Sequence, residues 1–422
     1  MPKFFVRTCC ALSALFFLIS SAASAAENLT WEQCVLESRK NHPDLVSARE
    51  KINQASADRS IAASALFPQV NGSFDADTSR TAHSKRLESY SYGVGGSQLL
   101  FDGFKTRDEV EQAAKNIDVN RYNYEVTSSN IRLRLRTAFI DLLEAQQSLE
   151  LTQRIADRRR QNRDLIRLRY ESGNENKGAL MTAEANLAQA EFEIEQAKRS
   201  IGLARRNLSK ELGRGGSSDL AVTGSFDVSQ KFSEKPDFQK MSVSTPFLRV
   251  LALQKEAARW GVESAKASFF PSVFANGFLG RSASQWPPRD NEFSAGATVS
   301  MPFFEGGSLV AGESKARAFY RQTEADEKSG LDGIALTLEN TWAQLEDAVG
   351  FVEVEQKVLE ANQTRSKIAE AEYSTGLVNF NDWTIIEDNL VNTEKAYLNA
   401  QANAVLAEAG WLQAKGETLD EE

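Results

Sequence analysis

Apolar and polar residues alternate between Phe293 and Met301: Phe293, Ala295, Ala297, Val299 and Met301 fall on one face, and Ser294, Gly296, Thr298 and Ser300 on the other. A period of two predicts a strand with a single apolar face. From Tyr90 to Leu100 the pattern repeats, with Tyr90, Tyr92, Val94 and Leu100 opposite Ser91, Gly93, Gly95 and Ser97. Segments 68–78 and 271–281 alternate more weakly at similar length, so hairpins are predicted at about 68–101 and 271–304. Polar loops, Asp77 to Ser89 and Arg281 to Glu292, would join their strands. Each strand approaches the roughly 9–11 residues that cross a bilayer when tilted. A small soluble sheet would account for the hairpins alone.

A different period governs the rest. Helical stretches from Pro43 to Leu66 and from Pro246 to Phe269 each end on Phe-Pro, which turns the backbone extended. From Phe104 to Ser172 the chain contains no Gly and no Pro, enough for a helix of roughly 100 Å. Ile131, Leu135, Ala138, Leu142, Ala145, Leu149 and Ala156 form a thin, Ala-rich stripe at spacings of three and four. Such a helix seals a narrow seam and leaves much of its surface wet, which suits a hollow tube better than a solid core. Breaks are expected at Gly173 and Gly376, followed by returning helices. Long helices are therefore placed at about 104–170 and 179–212, and again at about 308–373 and 382–415.

These elements recur because the chain is duplicated. At an offset of 203, Pro43 and Leu45 match Pro246 and Leu248, Phe67-Pro68 matches Phe270-Pro271, and Phe101 and Gly103 match Phe304 and Gly306. Tyr170 and Gly173 match Tyr373 and Gly376, Asn186-Leu187 matches Asn389-Leu390, and Gly213 matches Gly416. Residues 42–213 and 245–416 thus form two gap-free copies, in a first unit of 26–213 and a second of 245–416. Residues 214–244 join them, and 417–422 form a short tail.

Composition changes the picture at the N-terminus. Lys3 and Arg7, an apolar run from Ala11 to Ile19 and the small residues Ala23-Ser24-Ala25 are laid out as a secretory signal peptide, residues 1–25. Cys9 and Cys10 lie within it, leaving Cys34 without an intrachain disulfide partner. No later run reaches the roughly 20 apolar residues of a membrane-spanning helix. The net charge of −9, two units lower without Lys3 and Arg7, disfavours nucleic acid. Two His, one mature Cys and no Gly-rich phosphate loop argue against an enzyme, a cofactor or a metal site.

Four strands cannot close on themselves, yet a sheet in lipid must close, because open edges leave backbone groups unpaired. Several chains must share one barrel, two giving eight strands and three giving twelve. An exported coiled-coil spacer or adhesin without a pore would explain the helices and the leader, but not duplicated alternating hairpins.

The pattern resembles the TolC family of bacterial outer-membrane efflux and secretion channels. The resemblance rests on Asn41-His42-Pro43-Asp44-Leu45, Leu66-Phe67-Pro68, Leu100-Phe101-Asp102-Gly103, Arg169-Tyr170 to Gly173, Met301-Pro302-Phe303-Phe304-Glu305-Gly306-Gly307 and Tyr373 to Gly376. It implies an α+β membrane protein: a homotrimer with a twelve-stranded transmembrane β-barrel set in outer-membrane lipid, four strands per chain, continued by a long periplasmic α-helical barrel. It also implies an equatorial belt that includes 214–244, and an exit duct fed by an inner-membrane pump, of RND or ABC type, through a periplasmic adaptor. The helical turns would form the tip that docks the adaptor, placing Arg169, Tyr170, Gly173, Tyr373, Gly376 and Leu377 there. Both glycines also suit plain helix capping. By the same resemblance Asp382 would ring the pore constriction; the alternative is that it caps the following helix. A second family aspartate falls on Ile385, and basic residues that lock the tip in relatives fall on Val378 and Gln401. The arginines at 154, 158, 159, 160, 163, 167 and 169 read either as a solvated face or as a docking surface for an acidic adaptor.

Overall fold

The computed structural model describes residues 27–80, 87–216, 219–228 and 235–420; the expected leader lies outside them. A short strand β1 (Glu27–Leu29) leads into α1 (Trp31–Asn41), whose start is fixed by a Thr30/Gln33 capping box. Then come α2 (Pro43–Ser64), the hairpin β2 (Gln69–Ser79) and β3 (Leu87–Phe101), and the long helices α3 (Lys105–Glu171) and α4 (Lys177–Glu211). The joining segment holds β4 (Leu220–Val222) and α5 (Phe238–Ser242). The second unit repeats the first as α6 (Pro246–Ala267), β5 (Ser272–Ala283), β6 (Asp290–Ser300), α7 (Ser308–Thr375) and α8 (Phe380–Lys415). The strands run further into the predicted loops than the alternation suggests, to Ser79 and from Leu87; residues 81–86 are not among those described.

Both hairpins share one register, Gln69 opposite Ser97 and Ser272 opposite Ser300, so the duplication extends to strand pairing. The four strands make one antiparallel sheet in the order β2-β3-β5-β6. Register sorts its side chains by face. Val70, Phe74, Ala76, Tyr92, Val94, Leu279, Phe293, Ala297 and Val299 share one side, with Arg281 and Asn291 toward its loop end, and Asn71, Ser73, Asp75, Ser91, Ser97, Asn276, Ser294 and Thr298 the other, together with Leu99, Phe274 and Phe278. Both edges, β2 and β6, have no further strand partner among the described residues. Aromatic rings gather at the two ends of the sheet. Trp286 sits edge-on to Phe74 at 5.5 Å and to Tyr90 at 6.2 Å, and at the opposite end Phe101 meets Phe104 at 5.8 Å. Apolar residues out, polar residues in and aromatic girdles at both rims describe a stave of a membrane barrel. No described helix is long and apolar enough to cross a membrane.

Below the sheet, α3 and α7 run the whole length, while α2 with α4, and α6 with α8, occupy successive halves beside them. Near the sheet α2 packs on α3, α3 on α6 and α6 on α7; further away α4 packs on α3, α3 on α8 and α8 on α7. The wall is therefore four helices wide at every height. The predicted stripe is buried midway along α3: Ile131, Leu135, Ala138 and Leu142 meet Leu29, Cys34, Leu45, Leu220 and Val222, and β1 pairs in parallel with β4. The stripe thus lies under an equatorial layer as well as along a helix seam. In the second unit Leu338, Trp342 and Leu345 pack with Trp411 beneath Phe238 of α5.

Candidate functional site at the helical tips

Each long helix pair turns on a glycine with positive φ, Gly173 at +80° and Gly376 at +80°. The turns are superimposable in their hydrogen bonds. Gly173 N donates to Tyr170 O and Asn174 N to Arg169 O; Gly376 N donates to Tyr373 O and Leu377 N to Glu372 O. These are Schellman closures, which satisfy the last helix carbonyls and require a left-handed residue. The returning helices are capped by Asn176 and Asn379, whose side chains accept from Ala179 N and Asp382 N. Asp382 is therefore not the cap residue. It stands in the first turn, exposed, and accepts a 2.8 Å hydrogen bond from Asn379 Nδ2. Its carboxylate also faces the positive end of the α8 dipole.

A compact cluster ties the two turns together. Tyr373 and Trp383 are 1% and 2% exposed and stack at 4.3 Å with an 11° interplanar angle, packed among Ile166, Ala179, Ala183, Ala369 and Ile386. Arg169 lies over the other part of the Tyr373 ring, 4.8 Å from its centroid, and donates from Nη1 to Tyr373 O at 3.0 Å. The Tyr373 hydroxyl donates to Glu175 Oε2 at 2.9 Å, across to the first turn. Burial, and then this bond to Glu175, push the Tyr373 phenol well above its ordinary value. Of the six expected tip residues, Tyr170, Gly173, Gly376 and Leu377 are exposed, Arg169 is half-buried, and Tyr373 is buried beneath them. A Cβ on either glycine would meet nothing within 4 Å, so both turns present open surface. Glu175 and Trp383 were not among the expected residues. Nothing in their own repeat marks them, since Trp383 corresponds to Leu180 and Glu175 to Val378.

The arginine stretch divides between wall and solvent: Arg158, Arg159 and Arg163 are half-buried, whereas Arg154, Arg160 and Arg167 are exposed. Arg158 bonds both oxygens of Glu394, at 2.7 and 3.1 Å, and Arg159 bonds Asp388 at 2.5 Å, joining α3 to α8. Arg160 and Arg167 pair with Glu191 and Glu184 of α4, Arg163 with Asp164, and Arg169 serves the turn; Arg154 is exposed. Glu387, 3% exposed, accepts from Ser366 and Asn162 and lies 3.5 Å from Arg158 Nε. Arg158 and Arg159 are thus spent on cross-helix pairing in the wall, while the exposed arginines keep a solvated face. Among the described residues no His, Cys, Asp and Glu side chains group as metal ligands.

A family model described as outer membrane efflux protein matches residues 35–214 and 239–417, one block for each unit. The chain belongs to this family. It is 22% identical over 406 residues to the outer membrane efflux protein BepC of Brucella suis biovar 1, covering 94% of this chain and 87% of that one. The outer membrane protein TolC of Vibrio cholerae is 20% identical, over 96% of this chain and 95% of its own length. Among solved structures, CusC superposes with a TM-score of 0.83 at 18% identity, over 93% of this chain and 95% of that one. The fold is that of these channels, the TolC-like barrel continued by a helical tunnel. The protein resides in the outer membrane with its helices in the periplasm, where family members act as exit ducts.

Proposed function

We propose that three copies of the chain close a twelve-stranded barrel over a twelve-helix tunnel, and that the ring passively conducts cargo delivered by an inner-membrane pump, of RND or ABC type, through a periplasmic adaptor at the tip. The observation that carries this is the four-stranded sheet, mainly apolar on one face and mainly polar on the other, with both edges open among the described residues. Lipid tolerates such edges only when another strand pairs with them, and an eight-stranded ring leaves little lumen. The helices favour the same closure: Met181, Phe192 and Leu203 on α4, and Phe351, Val354 and Val358 on α7, point away from the in-chain neighbours and are exposed. The exposed tip, Tyr170, Gly173, Gly376 and Leu377, is the docking surface, held rigid by Arg169 and Tyr373. Asp382 supplies one carboxylate per copy to a constriction at the entrance, where repeated negative charge favours cations. No catalytic step is involved. Purified in detergent and added to a planar bilayer, the protein is expected to run as a trimer and give discrete ion conductance; a monomer or dimer without conductance would overturn the reading.

A further inference from the structure

The apolar face of the sheet breaks its own pattern where Arg281 and Asn291 stand opposite each other. Resting on the closed ring above, we infer that Arg281, with Asn291 and the aromatic rings around them, binds a phosphate-bearing lipid of the outer leaflet on the outside of the barrel.

Height decides what surrounds the guanidinium. On the apolar face, Phe74, Tyr92, Arg281 and Asn291 share one row across the strands, and Val94, Leu279 and Phe293 form the next row toward the helices. From Arg281 to Val273, β5 runs about 26 Å at roughly 3.3 Å per residue. A tilt of about 35–45° shortens this to roughly 20 Å along the membrane normal, within an apolar band about 25 Å tall. With Val273 near one border of the band, Arg281 stands near the other, at the strand loops. Because the helices lie in the periplasm, that border is the outer one. There the long arginine stem lies along apolar surface and carries its charge to the headgroups.

The charge has no counter-charge in the chain. Arg281 is exposed, as is Arg289 at the start of β6, and neither side chain makes an ion pair or hydrogen bond among the described residues. The carboxylates at this height lie on the other face: Glu292 is paired with Gly280 and Asp290 with Ser282, on the lumen side with Asp75. Glu88 shares the outer face but lies about 13 Å nearer the loops than Tyr92 along β3. A planar fork of donors with an amide directly opposite suits the oxygens of a phosphate.

The surface beside it is built for hydrocarbon. A groove lined by Tyr92, Val94, Leu279, Arg281, Asn291 and Phe293 crosses this corner, and Val94, Leu279 and Phe293 are exposed on the membrane side of the guanidinium. Above it Trp286 reaches from the β5–β6 loop over Phe74 and Tyr90, and is itself exposed. Donors at the headgroup level and apolar side chains below them follow the polarity order of a lipid standing in the outer leaflet. Free phosphate would use the donors and leave the apolar floor unoccupied. Arg281 answers Thr78 in the repeat, so each chain carries one such position.

Native mass spectrometry of the full-length protein released from detergent tests it, with bisphosphorylated lipid A as probe and its dephosphorylated form, carrying the same acyl chains, as control. The wild type is expected to prefer the phosphorylated form by about tenfold or more, through charge-assisted hydrogen bonds, and to keep it in excess inorganic phosphate. Arg281→Gln should erase the preference and Arg281→Lys should keep part of it. Arg206→Gln, an exposed arginine far from the sheet on α4, should leave it unchanged. The same spectra report the assembly. A trimer that binds both forms alike, that keeps its preference in Arg281→Gln, or that loses the lipid to inorganic phosphate overturns the inference and leaves the ring standing. Absence of any trimer overturns the ring, and with it the lipid-facing site.

Discussion

Replacing Trp383 by alanine isolates the contribution of the tip cluster. The indole is 2% exposed, stacks on Tyr373 at 4.3 Å, and its Nε1 has no hydrogen-bond partner among the described residues. Truncation therefore removes packing without orphaning a polar partner. Trp→Ala in a close-packed site costs about 3–5 kcal/mol, and the lost stacking accounts for about 0.5–1.5 kcal/mol of that. Both turns are exposed on their outer side, so the loss appears as local opening rather than global unfolding. At about 1.4 kcal/mol per factor of ten, hydrogen exchange should quicken by roughly a hundredfold to a few thousandfold in 160–180 and 370–390. Amides of the sheet should keep wild-type rates, and the trimer should persist. Trp383→Phe should recover most of the protection. Exchange within about threefold of wild type at both turns would refute the view that this cluster holds the tips together.

Asp382→Ala should lower the cation preference of single channels and weaken block by multivalent cations from the periplasmic side; unchanged reversal potentials would dismiss the carboxylate ring. Gly173→Trp and Gly376→Trp each force a left-handed residue at a cost of about 1 kcal/mol and fill open surface, so export should fail while trimer yield holds, measured by cargo release and native gels. The Tyr373 phenol is raised in the folded tip, so its contribution is complete below the ordinary phenol value of about 10 and is lost as pH climbs through the raised value. Protection factors at the turns, which divide out the base catalysis of amide exchange itself, should therefore be flat across neutral pH and fall in strong alkali in the wild type, and Tyr373→Phe should remove that alkaline fall.

The hairpins and long helices were legible because each carries an uninterrupted period: Phe293 to Met301 alternates cleanly, and no Gly or Pro interrupts α3. Boundaries were less so. The expected returning helices begin near 179 and 382, whereas Asn176 and Asn379 cap them so that they start two residues earlier, at Lys177 and Phe380. The same caps explain why Asp382 resembled a cap: it is the first-turn acid of a helix whose cap is three residues back. The arginines of α3 were legible only in part, Arg154, Arg160 and Arg167 being exposed but Arg158 and Arg159 not, for a different reason. Spacing along one helix shows which side chains share a face but not what lies opposite, and here Glu394, Asp388, Glu191 and Glu184 lie opposite. Glu175 and Trp383 could not be read from the repeat at all, because they act where the two copies differ.

That difference shapes how the entrance can move. Within one chain the two turns are clasped by Arg169, Tyr373 and Glu175. The positions that answer them in the repeat, on the sides of the chain left free, are Glu372, Tyr170 and Val378, which put no cation over the Tyr170 ring and no carboxylate in the place of Glu175. In the proposed ring, clasped and unclasped seams alternate around the mouth, so that an entrance sixfold in helices is threefold in its fastenings, one to each chain.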